Sequence, residues 1–212
     1  MLLIGMLDSP FVRRVAVSMR LLGLGYEHGD WSVGRDFDRI RQYSPSGRVP
    51  ALVLDDRSVL VESAAILDYL DDNAGVARAL LPSTGAARRE CLQLMALAIS
   101  AAESARDTLY ERLFRPAEQL HQPWLDRRLS QMHSGLAELE KRAALRLTAH
   151  WLVGERMTQA DITAACCFTF ISDAVPLAPG SPYPALRARA AGCEQLPEFV
   201  ATKTAWFAPS QG

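Results

Sequence analysis

The chain opens on an unbroken apolar run, Leu2-Leu3-Ile4-Gly5-Met6. A strand covered on both faces shows this pattern rather than alternation. A strand is therefore predicted from Leu2 to Met6. Pro10 follows Ser9 where the pattern turns helical. Proline suits the first turn of a helix, because its missing N–H would have no partner there. Val15, Met19 and Leu22 fall on one apolar face. That helix is expected to end near Gly23 and Gly25, residues that tolerate positive φ. Tyr26 to Val33 predicts a second strand. Asp36 to Tyr43 reads as a short polar helix or an irregular stretch. Ala51 to Leu54 and Ser58 to Val61 flank the polar turn Asp55-Asp56-Arg57, a hairpin signal. From Ser63 to Leu70, the residues Ala65, Ile66, Tyr69 and Leu70 trace a helical stripe. The order βαβ, irregular helix, ββα predicts a small α/β unit with a four-stranded sheet.

After Asp71-Asp72-Asn73 strand patterns disappear. Leu81-Pro82-Ser83-Thr84-Gly85 reads as a linker. Ala87 to Phe114 predicts a long helix that Pro116 ends. Trp124 to Leu147 predicts a second, and Trp151-Leu152-Val153-Gly154 a buried connection. Thr158 and Asp161 have the spacing of a capping box, with Met157 and Ile162 placed as a hydrophobic staple. The helix that follows, through Ile171, is apolar almost all round, as a central helix is. Leu177 to Pro184 is proline-rich and reads as loop. Pro184 to Ala191 and Pro197 to Thr204 predict two short final helices.

Composition narrows the function. A chain of 212 residues, 49% hydrophobic and 22% charged, is folded and holds one large or two small domains. A formal net charge of -1 supplies no broad cationic field, which argues against a nucleic-acid partner. No apolar run is long enough to span a bilayer. The first residues also lack a basic start and a cleavage site. A cytoplasmic protein without a membrane partner is expected. Cys91, Cys166, Cys167 and Cys193 form no C-x-x-C pair, so they read as buried structural thiols. His28, His121, His133 and His150 are scattered, and no metal is expected.

Three short segments carry chemistry. Ser9 stands between a strand and a helix. One reading is an ordinary N-cap. The other is a hydroxyl that donates to a bound thiolate, beside a helix N-terminus that favours the ionised sulfur. Val49-Pro50 opens the third strand. It reads either as a bland edge proline or as a backbone that pairs with an extended peptide. Glu62-Ser63 opens the third helix. It reads as a cap with an acidic first turn, or as a receptor for a group bearing both charges. In the second case free N–H groups and the Ser63 hydroxyl take a carboxylate, and Glu62 attracts the neighbouring ammonium.

In this order the segments resemble the cytosolic glutathione S-transferase family, of serine type and bacterial-like, over nearly the whole chain. The matching motifs are Ser-Pro-Phe-x-x-Arg from Ser9, Gly-x-Val-Pro-x-Leu from Gly47 and Glu-Ser-x-x-Ile from Glu62. The box from Met157 to Ile162 matches the family's helical domain. The resemblance implies a thioredoxin-like N-terminal domain over 1–76, with a mixed four-stranded sheet. A linker over 77–86 and an all-α C-terminal domain over 87–212 follow. It implies glutathione as co-substrate, no metal, a small electrophile as the other substrate, and a homodimer. Ser9 falls where serine-type members place the thiol-activating hydroxyl. Val49, Glu62 and Ser63 fall at glutathione-binding positions. Arg48 would reach the glycyl end, Phe11 would line the site beside the thiol, and Pro50 would be cis.

The implied activity is conjugation of the glutathione thiolate to an electrophile, a detoxification reaction. A glutathione-dependent isomerase or dehalogenase is the alternative among enzymes, but Asp8-Ser9-Pro10 departs from the Ser-Ser-Cys corner common there. A non-catalytic glutathione- or partner-binding protein is the alternative outside enzymes. Serine at the corner disfavours mixed-disulfide chemistry. Glu103, Arg106, Asp107 and Tyr110 fall at helical spacing and read either as a set facing the cleft or, the favoured reading, as a solvated face with local ion pairs.

Overall fold

A computed structural model describes residues 1–146, 150–175, 177 and 182–207. The chain runs β1 (Leu2–Ile4), α1 (Pro10–Leu21), β2 (Glu27–Gly29), α2 (Phe37–Arg41), β3 (Ala51–Val53), β4 (Val59–Val61) and α3 (Ser63–Ala74). Helices follow: α4 (Gly85–Phe114), a 3-10 turn (Ala117–Gln119), α5 (Gln122–Leu145), α6 (Gln159–Ala174), α7 (Pro184–Cys193) and α8 (Pro197–Val200). The sheet order is β2-β1-β3-β4. β1 pairs parallel with β2 and antiparallel with β3, and β3 pairs antiparallel with β4. This is the mixed sheet expected of a thioredoxin-like unit, with an all-helical unit after it.

Several elements differ in length from the sequence reading. The expected strand Tyr26–Val33 shrinks to Glu27–Gly29. The chain curls there because Trp31 N–H bonds back to Gly29 O at 2.8 Å, and Asp36 Oδ2 accepts Ser32 N–H at 2.8 Å. The third helix runs past Leu70 to Ala74. Asp71, polar in the pattern, is buried there, and its carboxylate accepts the N–H groups of Leu80 at 2.7 Å and Leu81 at 2.9 Å. The segment read as a linker is thereby pinned. Arg156 clasps it too, donating to the carbonyls of Ala77 and Ala79 at 2.8 and 2.7 Å. The last helix stops at Val200 rather than Thr204. The Thr202 hydroxyl donates to the carbonyls of Glu198 and Phe199, competing with the backbone pattern a longer helix needs. Leu147, the expected end of α5, and residues 178–181 of the proline-rich segment lie outside the described residues.

One large core crosses from the sheet unit into the helices. It joins Leu3, Val12, Val15 and Ile66 to Ala98, Cys167 and Phe168. A smaller cluster of Ile4, Ile40 and Ala51 lies on the α2 side of the sheet. α6 is buried on all sides from Gln159 to Phe168, because it packs on α1, α4 and α7 at once. Among the described residues, no helix is long and apolar enough to cross a membrane.

Asp161 ties the start of α6 to the chain before it. Its Oδ2 accepts from Thr158 N–H at 2.9 Å and from the Thr158 hydroxyl at 3.0 Å. Its Oδ1 accepts from Leu152 N–H at 2.7 Å. The Thr158 hydroxyl in turn accepts Ala160 N–H at 3.3 Å. Burial pushes the Asp161 carboxyl above the usual carboxylate range, against these bonds. Asp161→Ala leaves two buried N–H groups without acceptors, at about 1–3 kcal/mol each. A loss of roughly 3 kcal/mol is expected, read as a lower urea midpoint at unchanged slope.

Candidate functional site

The pairing register assembles the site. Ile4 lies opposite Ala51, and Ala51 opposite Val61. The next positions at that end of the sheet are Gly5, Pro50 and Glu62. Three segments far apart in sequence thus meet at one sheet edge. Gly5 has φ +129°, and a Cβ there would stand 2.6 Å from Val12 Cγ2 and 2.8 Å from Val49 Cβ. Only glycine lets α1 and the loop before β3 come so close. Gly47, at φ +68°, is equally restricted, since a Cβ would lie 2.2 Å from the Phe37 ring.

Ser9 sits at the N-cap of α1 with extended backbone. Its N–H bonds to Met6 O at 3.2 Å, and its C=O accepts Arg13 N–H at 2.9 Å. Its hydroxyl makes no capping bond. Ser9 therefore occupies the N-cap position while its hydroxyl makes no bond to its own helix. The Val49-Pro50 peptide is cis. Val49 takes part in none of the loop or turn backbone bonds among the described residues. Glu62 has φ +67° and ψ 128°, a region costly for a residue with a side chain and concentrated at functional sites. It is the N-cap of α3 and makes no side-chain cap. Ser63, buried, opens that helix, whose first N–H groups have no intrahelical acceptor.

Around this edge runs a line of charges. Arg48 lies 3.5 Å from Glu62 and 4.0 Å from Glu103 of α4. Glu103 is 4.0 Å from Arg106, which is 2.7 Å from Asp107. Arg128 of α5 also pairs with Asp107. The Arg106 guanidinium lies 5.9 Å from the centre of the Phe11 ring. Glu103 and Arg106 thus face the sheet unit, as the cleft-facing reading has it, while keeping local ion pairs along α4. The exposed pairs are worth about 0–1 kcal/mol each, so they arrange the cleft more than they stabilise it. Arg48 stands beside Glu62, the residue read as an ammonium receptor, and not apart from it.

Sequence reasoning missed three features here. Asp8 accepts Phe207 N–H at 3.3 Å, so the chain after α8 returns over the corner. Trp206 packs edge-on against Phe170 at 5.5 Å. The apolar pair Trp206-Phe207 was the available signal. Burial, with Asp30 nearby, pushes the Asp8 carboxyl above its usual range. Beneath the corner, Arg13 makes a bidentate pair with Glu194 at 2.7 Å on both oxygens. Two adjacent arginines among the apolar residues of α1 were the signal for that. Arg14, with no exposure at all, donates to Thr163 Oγ1 at 3.2 Å, and burial holds it below the usual guanidinium range.

All four cysteines are buried. Burial pushes Cys91 up to about 11, and Cys166, Cys167 and Cys193 up to about 12. None is a ready thiolate near neutral pH. Among the described residues, no group of three or more His, Cys, Asp or Glu is placed to hold a metal ion.

A short mixed sheet with a cis-proline edge, followed by an all-helical unit, defines a thioredoxin-like two-part protein. The chain belongs to the glutathione S-transferase family. Residues 3–79 match the family's N-terminal domain and residues 122–188 its C-terminal domain. The chain is similar to a glutathione transferase family member from Pseudomonas fluorescens Pf-5, solved with bound glutathione. Identity is 30%, the match covers 95% of this chain and 98% of that one, and the TM-score is 0.83. It is also similar to a glutathione S-transferase from Methylobacterium radiotolerans JCM 2831, solved with glutathione sulfonate. There identity is 25%, coverage 99% and 97%, and the TM-score 0.89. The Escherichia coli O157:H7 glutathione S-transferase GstA is 27% identical over 150 residues, 68% of this chain and 64% of that protein.

Proposed function

We propose that this protein is a glutathione transferase that ionises bound glutathione at Ser9 and joins its sulfur to a small electrophile. One observation supports this most. The register row Ile4–Ala51–Val61 brings Gly5, Pro50 and Glu62 to one sheet edge, which supports a site built from the Ser9 hydroxyl, the cis Val49-Pro50 peptide and the N-terminus of α3. In the proposed complex the tripeptide backbone pairs with Val49 as an added strand does. The γ-glutamyl carboxylate accepts from the first N–H groups of α3 and from Ser63. Its ammonium goes to Glu62, which releases Arg48 toward the glycyl carboxylate. Phe11 stands beside the sulfur. Ser9 donates to the thiolate, the thiol proton leaves to water, and the sulfur attacks an electrophilic carbon. A departing group carries away its bonding pair. The proposed working unit is a cytoplasmic homodimer.

Calorimetry with glutathione, followed by turnover of 1-chloro-2,4-dinitrobenzene, tests the assignment. The receptor predicts that Ser63→Ala and Glu62→Ala each weaken glutathione binding about tenfold, the effect of losing a hydrogen bond to a charged group. Unchanged affinity in both variants places the receptor elsewhere. Binding without turnover of any aryl halide supports the binding-protein alternative instead.

A further inference from the structure

A hollow of about 270 Å³ lies in the helical unit, among α6, α7 and the connection over 150–152. Its floor is buried and is built from Ala164 and Ala165 of α6 and Ala185, Leu186, Ala190 and Cys193 of α7. Alanine on both helices leaves the space that larger side chains would fill. His150, Ala188 and Gly192 stand exposed at its rim, so a ligand can reach it from solvent. An apolar cavity of about 150 Å³ stays dry and takes benzene. At about 270 Å³ this hollow has room for two fused rings.

Asp161 and Arg189 also line the hollow, and both are engaged. Asp161 accepts from Leu152 N–H with Oδ1 and from Thr158 with Oδ2. Arg189 donates to the carbonyls of His150 and Ala143 at 3.3 Å each, and to that of Arg146. The two are opposite in sign and within electrostatic reach of each other. A charge on a ligand would lose its water there without gaining a dedicated partner. Burial pushes the Cys193 thiol up to about 12, so that part of the floor is neutral as well.

The rim adds a preference for aromatic rings. Trp151 is half-buried and lines the hollow, and the His150 ring meets it edge-on at 4.3 Å. A ring entering there gains about 0.5–1.5 kcal/mol from aromatic contact beyond the area it buries. Leu152, Leu186 and Leu196 supply further apolar wall. Every lining residue lies between His150 and Leu196, so the hollow is separate from the sheet edge of Ser9, Val49 and Glu62.

We propose that the hollow between α6 and α7 is a second small-molecule site, which takes an uncharged aromatic ligand of two fused rings. The site does not rest on the transferase reading, and its occupant is not the electrophile joined to sulfur.

Calorimetric titration with 2-naphthol at neutral pH, without glutathione, tests the site. A Cβ at Gly192 meets no atom within 4 Å, and leucine suits a helix better than glycine, so the fold tolerates Gly192→Leu. The added side chain narrows the rim, and affinity is expected to fall about tenfold. Trp151→Ala removes the ring at the rim and should cost about tenfold as well. Equal affinity in the wild-type protein and both variants overturns the proposal, as does the absence of binding. Naphthalene-2-sulfonate keeps the rings but adds a charge, and should bind about tenfold more weakly than 2-naphthol. Equal or tighter binding of the sulfonate overturns the uncharged class. Bound 2-naphthol should also raise the urea midpoint of the wild-type protein more than that of Gly192→Leu. An equal rise in both places the ligand elsewhere, and the proposal falls.

Discussion

Ser9→Ala should slow conjugation at neutral pH by about ten- to a hundredfold while leaving glutathione affinity nearly unchanged. A hydrogen bond to a charged group is worth about 1.5–3 kcal/mol. One pKa unit corresponds to about 1.36 kcal/mol. Loss of the hydroxyl should therefore raise the bound thiol by about one to two units. The sign follows directly. The thiolate is the nucleophile, so the variant recovers rate as pH rises through the raised value. A merely structural role for Ser9 lowers the rate without displacing the pH profile. The structure supports a chemical role because α1 does not use this hydroxyl as a cap. A stopped-flow titration of the thiolate absorbance in wild type and variant checks the shift. An unmoved profile removes Ser9 from the mechanism.

Glu194→Ala should destabilise the fold by about 3–5 kcal/mol, the usual result of breaking a buried ion pair from one side. Arg13 and Glu194 are both almost fully buried. Arg13 also donates to Phe199 O at 3.1 Å, and Thr169 donates to Glu194 at 2.8 Å. The variant leaves the guanidinium of α1 without its carboxylate. Burial works against both charges. The mutual hydrogen bonds outweigh it, holding Glu194 below the usual glutamate range and Arg13 above its own. A carboxyl held low in the folded state stabilises fully above its unfolded value and loses that contribution as pH falls through the folded one. Urea denaturation across the acid range should thus show a steeper loss in wild type than in Glu194→Ala. A difference below about 1 kcal/mol at neutral pH contradicts this account, since such a value is ordinary for surface pairs.

Where period and punctuation are local, the chain is legible by itself. The apolar run at Leu2, the proline after Ser9, the hairpin around Asp55 and the box at Thr158 each act within a few residues. The backbone must answer them whatever surrounds it. The order of Ser9, Val49-Pro50 and Glu62-Ser63 was legible for the same reason. Their convergence depends only on strand order and register, which those local signals constrain. Asp71 shows where the reading stops: its polarity looked like the end of a helix, and only burial against Leu80 and Leu81 made it part of one.

The amino-acid order alone determined the two-part architecture and the family's sheet-edge motifs, because periodicity and turn chemistry are properties of neighbouring residues. Tertiary structure decided the rest. It left the Ser9 hydroxyl outside its own cap, set Arg48 against Glu62, and joined Arg13 to a carboxylate 181 residues away. It also brought Phe207, after α8, back to Asp8 and opened a hollow lined by Tyr110. These features depend on which groups lose water together, and that is settled only when distant segments pack.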